Sequence, residues 1–162
     1  VTAMLTLGLA GGAAPTEDME HYIIGVHISL GFFTFLFVLW RVGYRFHHGF
    51  PPALGESAWE RRLARVTHRL ILLTLLVMVF TGPLYLFTEG EGVNVFGWFT
   101  VTIPLESLSV LHEPVESIHI WLGVYGLPVL LVLHIAGAIR HYLRRADRDP
   151  GELQGRDAAE RN

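Results

Sequence analysis

Cysteine and lysine are both absent from this chain of 162 residues. Without cysteine there are no disulfides, iron–sulfur clusters or thiolate metal sites, so any bound metal needs other ligands. Charge is also scarce, because 17% of the residues are charged and 51% are hydrophobic. Soluble domains carry about 25% charged residues. The few charges are segregated along the chain rather than interspersed, which points to a membrane protein.

Three long stretches contain no charged residue: 22–40, 70–88 and 118–139. Each has about the 20 residues that an α-helix needs to cross the ~30 Å hydrocarbon core of a bilayer. A soluble protein would have to bury three such helices completely inside one small domain. We therefore interpret the chain as an all-α integral membrane protein.

The first residues, VTAMLTLGLAGGAA, are apolar but too short to span a bilayer alone. One interpretation is the end of a signal peptide, although a basic segment ahead of the apolar run is lacking. The other, which we favour, is the second half of a first transmembrane helix, because the sequence starts inside an apolar run. It predicts a four-helix up-down bundle with a first helix truncated at its N-terminus. The membrane domain then covers residues 1–149 and a polar cytoplasmic tail covers 150–162.

Helix boundaries follow from prolines, glycines and capping residues. Ser57, with Glu60 three residues later, predicts a capping box at the start of a short helix. Gly82-Pro83 predicts a bend near the end of the third helix. The other predicted elements are helix 2 from 22 to about 45, an irregular connection at Pro51-Pro52, helix 3 over 64–88 and helix 4 over 115–144.

Charge asymmetry predicts the orientation in the membrane. Arginines cluster between helices 2 and 3 and at the C-terminal end, whereas acidic residues concentrate in the other two connections. Cytoplasmic loops of membrane proteins carry an excess of basic residues. Both termini are therefore expected in the cytoplasm, with the 1–2 and 3–4 connections outside the bacterial inner membrane.

Three of the nine histidines lie inside the uncharged stretches: His27, His119 and His134. An ionisable group in a membrane helix is costly, faces the bundle interior and marks a function. A hydrogen-bonded structural histidine is the alternative for any one of them. Three together, with no intramembrane aspartate, glutamate or lysine to form a proton relay, favour metal ligation. The remaining histidines lie in loops or near the interfaces: His21, His47, His48, His68, His112 and His141.

Depth separates the three histidines into two sites. His27 and His119 each come about five residues into their helix from the outer side, so their depths match, as two axial ligands of one haem require. His134 follows His119 by fifteen residues, which is about 22 Å along a helix. It therefore lies in the inner leaflet and needs a different partner.

The residues four positions later, on the same helix face, are small for all three histidines: Gly31, Gly123 and Ala138. A flat macrocycle needs small residues beside its ligand, whereas small residues also serve plain helix packing. Zinc is the rival metal, but it prefers tetrahedral donors close together. Two neutral imidazoles at one depth on different helices suit six-coordinate haem iron better.

An ordered set of segments resembles the bacterial cytochrome b561 family over residues 1–149. The segments are GVHISLG and LWRVGYRF with the following PP, ARVTHRLILLTLLVMVFTG, VFGWFTVTIP, and IHIWLG with LVLHIAGAIRHYLRRADRD. The resemblance implies a four-helix protein of the inner membrane with two b haems, which moves electrons from a quinol pool. Such a protein is mainly an electron carrier, and it is a quinol-dependent oxidoreductase where it reacts with quinol.

The resemblance also implies which histidines of this chain bind the two haems. His27 and His119 would hold the outer haem, and His134 the inner haem with a histidine that precedes the position of Val1. The spacing from His119 to His134 is one residue longer than in the family, and Pro128 lies between them, which predicts a local bulge that restores the phase. His68 is the alternative inner ligand. Some arginines are candidates for haem propionates or quinone oxygens, although anchoring at the cytoplasmic interface is their ordinary role: Arg41, Arg65, Arg69 and Arg140.

Three functions are compatible with these residues. The first is quinol oxidation with electron transfer between two haems across the membrane. The second is a haem-bearing anchor or accessory subunit of a larger respiratory or photosynthetic complex. The third is a haem-free membrane module with structural or transport histidines. We expect the quinone pool, membrane lipids and an unidentified redox partner as contacts, and no nucleic acid.

Overall fold

The computed structural model describes residues 1–50 and 57–146. The polar tail and the Pro51-Pro52 connection, both predicted from the sequence, lie outside these residues. The helices are α1 (Thr2–Gly12), α2 (Glu17–His48), α3 (Ala58–Thr88), a 3-10 helix (Glu106–Leu111), α4 (His112–Trp121), a π-helical segment (Leu122–Gly126) and α5 (Leu127–Ala146). A two-stranded antiparallel hairpin, β1 (Val93–Val95) and β2 (Phe99–Val101), follows α3.

Capping side chains set where the long helices begin. The Thr16 hydroxyl accepts a hydrogen bond from the backbone of Met19 at the start of α2. The predicted capping box of Ser57 and Glu60 is present at the start of α3. The prediction of a separate short helix there was wrong, because no proline or glycine interrupts the chain between the cap and the apolar run. Pro83 lies inside the same continuous helix.

Three helical stretches are long and apolar enough to cross a membrane: Glu17–His48, Ala58–Thr88 and Glu106–Arg144. Their apolar side chains point mostly outward. Phe37 is 61% exposed, Trp40 59% and Val132 66%. A soluble fold would bury such residues, whereas a lipid bilayer solvates them.

Helices that are neighbours in the sequence are also neighbours in space. Helix α1 packs against α2 and the π-helical segment, and α3 packs against α2, α4 and α5. At one end of these helices, the Glu60 carboxylate accepts hydrogen bonds from Arg140 (2.6 Å) and Arg144 (2.8 Å). We call this end of the bundle the arginine end. The opposite end carries the hairpin, and we call it the hairpin end.

A π-helical turn interrupts the last long helix, which confirms the predicted bulge. The backbone N–H of Leu127 donates to the carbonyl of Leu122, five residues back instead of four. Pro128 explains where the π turn lies. In a regular α-helix its ring would clash with the carbonyl four residues earlier, and proline has no N–H to donate. A π turn accommodates one extra residue in an α-helix. The helix therefore continues past the insertion with its earlier phase.

The hairpin covers the ends of α2 and α3 that lie opposite the arginine end. Three residues connect the strands, and Phe96 and Gly97 among them have φ of 50° and 73°, in the left-handed region that tight hairpin turns often use. Val95 is completely buried and packs in one apolar cluster with Leu86 and Phe87 of α3. Ile28 and Phe32 of α2 pack against the same cluster, so the hairpin fills the cleft between the two helices.

Ser29 connects the hairpin to α2. Its hydroxyl, in a residue only 3% exposed, lies 2.8 Å from the Gly25 carbonyl and 3.1 Å from the Asn94 carbonyl, and donates to them. It also accepts from the Phe96 backbone N–H at 3.0 Å. One side chain thus bonds two backbone groups of the hairpin.

The Ser29→Ala variant is expected to loosen the hairpin. It leaves the Phe96 N–H and the Asn94 carbonyl without this partner, and a buried polar group left unpaired costs about 1–3 kcal/mol. Hydrogen exchange of the backbone amides of β1 and β2 measures the loss. Thr34→Ala is the matched control, because the Thr34 hydroxyl bonds only the Leu30 carbonyl of its own helix. Equal exchange rates in both variants would contradict the prediction.

Candidate metal centre

His27 of α2 and His119 of α4 face each other across the bundle. Their ring centres lie 6.3 Å apart and the ring planes are perpendicular, at 89°. A metal ion about 2 Å from one nitrogen of each ring leaves roughly 6 Å between the ring centres. The predicted match in depth is thus confirmed, and the separation suits one metal ion between the two imidazoles.

A hydrogen bond on the opposite nitrogen fixes the orientation of each ring. His27 Nδ1 lies 3.1 Å from the Met4 carbonyl of α1, which can only accept, so Nδ1 donates. His119 Nδ1 lies 3.0 Å from the Thr81 hydroxyl, whose proton already goes to the Val77 carbonyl. Nδ1 of His119 therefore also carries the proton.

This arrangement leaves an unprotonated Nε2 on both rings. Metal-binding histidines nearly always donate their other N–H to a carbonyl or a polar side chain, which fixes the tautomer and raises the basicity of the ligand nitrogen. Met4 and Thr81 supply these partners here. The pair can therefore offer two neutral nitrogen ligands to one ion.

Glycines let the two imidazole rings lie close to the backbone of neighbouring helices, and two more glycines stand beside flexible methionine tips. A Cβ atom at Gly8 would come within 3.3 Å of the His27 ring, and one at Gly82 within 3.1 Å of the His119 ring. Beside Gly31 and Gly123 the nearest atoms are the terminal methyl groups of Met4 and Met78. Methionine tips are flexible and move at little cost. The residues present therefore fit a haem.

A stripe of buried threonines on α3, not recognised in the sequence, faces the histidines. Its members recur every seven residues: Thr67, Thr74, Thr81 and Thr88. Thr81 bonds His119, and Thr88 bonds His112 at 3.3 Å. On the opposite, antiparallel helix the corresponding positions are His112, His119, the buried Leu127 and His134.

The π-helical segment keeps this register. His119 precedes Leu127 by eight residues, and the other steps along the histidine stripe are seven. The extra residue falls in Leu122–Gly126. The threonines of α3 recur every seven residues, as do most of the facing histidines. This shared spacing was the signal in the sequence from which the pairing of the two helices could have been predicted.

His134, the third predicted ligand, contacts His68 of α3. The ring centres lie 5.1 Å apart at 65°, which is closer than the His27–His119 pair. Both side chains are exposed. The structure thus brings His27 and His119 together and sets His134 beside the alternative ligand His68.

Three of the four arginines predicted as candidates, all except Arg41, have protein partners among the contacts described. Arg140 pairs with Glu60, Arg65 donates to the Arg61 carbonyl, and Arg69 lies over the Phe50 ring at 5.6 Å. These contacts lie toward the arginine end. Within residues 1–50 and 57–146, histidine and acidic side chains form no cluster of three or more around a common point, so a tetrahedral zinc centre is not built there.

Comparison with known proteins identifies the family. The sequence model of the prokaryotic cytochrome b561 family matches residues 1–149. The chain belongs to this family. It is similar to the Escherichia coli (strain K12) protein named cytochrome b561 homolog 2, with 27% identity over 157 residues, 97% of this chain and 80% of that protein. No solved structure matches the chain.

Membership in the cytochrome b561 family makes this a bacterial membrane protein that carries b-type haem and transfers electrons. The three membrane-crossing stretches agree with it. In a cytochrome b561, two histidines with free Nε2 atoms on different helices are natural candidates for axial ligands.

Proposed function

We propose that this cytochrome b561 binds two b haems and oxidises membrane hydroquinone, passing the electrons across the inner membrane to an unidentified redox partner. The observation that carries the proposal is the His27–His119 pair, perpendicular and 6.3 Å apart. Haem b, when bound, accepts and gives up single electrons. His27 and His119 would hold the haem iron, and an iron held by two histidines suits electron transfer better than oxygen binding.

The chain's own residues hold and insulate the haem between His27 and His119. Met4 and Thr81 keep the two rings in the ligating tautomer, and Gly31 and Gly123 leave space beside them. The hairpin closes the cleft between α2 and α3 with Val95 and its apolar neighbours. Exclusion of water by such a shell controls the reduction potential of a metal site.

A second haem is proposed at His134, with a histidine that precedes the position of Val1 as its other ligand. The resemblance to the family supports this ligand. The 5.1 Å separation of the His68 and His134 ring centres is shorter than the roughly 6 Å between two rings that bind opposite sides of one ion, as the two histidine ligands of a haem iron do. We therefore treat His68 as a neighbour of the second haem.

We further propose an up-down four-helix bundle whose arginine end faces the cytoplasm, with both termini on that side. The antiparallel packing of neighbouring helices supports the topology. The excess of arginine at one end supports the orientation. Membrane lipids then contact the exposed apolar faces of α2 and α5.

Stopped-flow mixing of the purified, oxidised protein with decylubiquinol tests the proposed reaction. We expect the haem absorbance to change to that of the reduced form within the mixing experiment. The same protein mixed with decylubiquinone is the matched control and should stay oxidised. Haem that dithionite reduces but decylubiquinol does not would contradict quinol oxidation and favour the accessory-subunit alternative.

A further inference from the structure

His112, the first residue of α4, repeats the hydrogen bonding of the haem-site histidine His119 at the hairpin end. Its Nδ1 lies 3.3 Å from the hydroxyl of Thr88. That hydroxyl already donates its proton to the Tyr85 carbonyl at 2.9 Å. Nδ1 of His112 is therefore the donor, and Nε2 carries a free lone pair.

The two threonine–histidine pairs lie on the same faces of α3 and α4. Thr81 and Thr88 are seven residues apart, as are His112 and His119, which is two helical turns and about 10 Å. Tyr85 and Glu116 lie between them on the same faces, four residues from Thr81 and His112 respectively. A line of polar side chains thus runs from the metal centre to the hairpin end.

A phenolic ring contacts His112, and acidic residues lie at the same end of the bundle. The Tyr85 ring stacks on it at 4.7 Å, and Glu116 lies one turn further along α4. Further carboxylates lie at this end of the bundle: Glu17, Asp18, Glu20, Glu89, Glu91, Glu106 and Glu113. Nε2 of His112 is therefore a hydrogen-bond acceptor at the hairpin end, beside the Tyr85 ring.

We propose that His112 accepts the protons of a hydroquinone oxidised at the hairpin end, an inference that rests on the proposed function. Oxidation to the quinone breaks two O–H bonds and removes two electrons and two protons. The two electrons would be taken up by the haem iron that the proposed function supplies as the oxidant. Each proton in turn binds Nε2 of His112 and is released to water at the hairpin end, past the carboxylates.

The test compares the full protein with His112→Gln. Glutamine keeps an N–H donor for Thr88 but is not a base at neutral pH. A positioned general base contributes about 10²–10⁴-fold, so we expect reduction by decylubiquinol to slow at least about 100-fold at pH 7. The rate should recover as the pH rises, because hydroquinone then loses its proton to the solvent. His21→Gln, an exposed histidine that bonds only its own helix, is the matched control.

An equilibrium titration gives a second readout that needs no turnover. Reduction of the haem between His27 and His119 adds an electron near His112 and favours its protonation, so the midpoint potential should fall as pH rises. This dependence should weaken in His112→Gln and persist in His21→Gln. An unchanged rate and an unchanged pH dependence in His112→Gln would overturn the inference. Failure of the unaltered protein to react with decylubiquinol would instead overturn the proposed function.

Discussion

His119→Ala is expected to remove one of the two b haems from each chain. The substitution deletes one axial ligand and also leaves the Thr81 hydroxyl without its partner. A buried haem that loses one of two histidine ligands is held only by His27 and the surrounding apolar contacts. The pyridine haemochrome assay, referred to protein concentration, measures the loss.

Two variants control for nonspecific loss of haem after His119→Ala. His21→Ala alters an exposed histidine at the hairpin end and should keep both haems. His68→Ala should also keep both, because we propose that His68 is a neighbour and not a ligand. A folded His119→Ala protein with unchanged haem content would contradict the assignment of His119. Loss of one haem in His68→Ala would assign the second haem to the His68–His134 pair instead.

Inserting one alanine between Leu130 and Leu131 is expected to abolish the second haem and spare the first. The insertion lies between the π-helical segment and His134. Each residue turns an α-helix by about 100°, so it rotates His134 away from its present neighbour His68 without moving His119. Haem content should fall from two per chain to one, and the spectrum of the His27–His119 haem should remain.

An alanine inserted between Gly137 and Ala138 is the matched control for the rotation. It adds the same residue to the same helix but lies beyond His134, so both proposed ligands keep their phase. This variant should retain both haems. Equal haem content in the two insertion variants would show that the phase set by Leu122–Gly126 has no bearing on haem binding.

Much of the site could be predicted from the sequence because its main signals are local. The depth of His27 and His119 follows from counting residues along uncharged helices, and Pro128 with the longer spacing predicted the π turn. The partner of His134 is harder to predict from the sequence, because it depends on contacts between helices. Ring contact with His68 is visible only after the helices are packed.

Two features were not predicted for physical reasons. The hairpin strands have only three residues each, too few for a clear alternating pattern, and their stability depends on Ser29 and on packing against α2 and α3. The threonines of α3 resemble ordinary apolar-helix residues when taken singly. Their role emerges only when the seven-residue spacing meets the histidines of the opposite helix.

Haem stoichiometry of the purified protein tests the central claim most directly. The pyridine haemochrome assay, together with a reduced-minus-oxidised spectrum, gives the haem type and the number per chain. We predict b-type haem at two per chain. One per chain would retain the His27–His119 site and remove the assignment of His134. A folded protein without haem would contradict the proposal that these histidines are axial ligands.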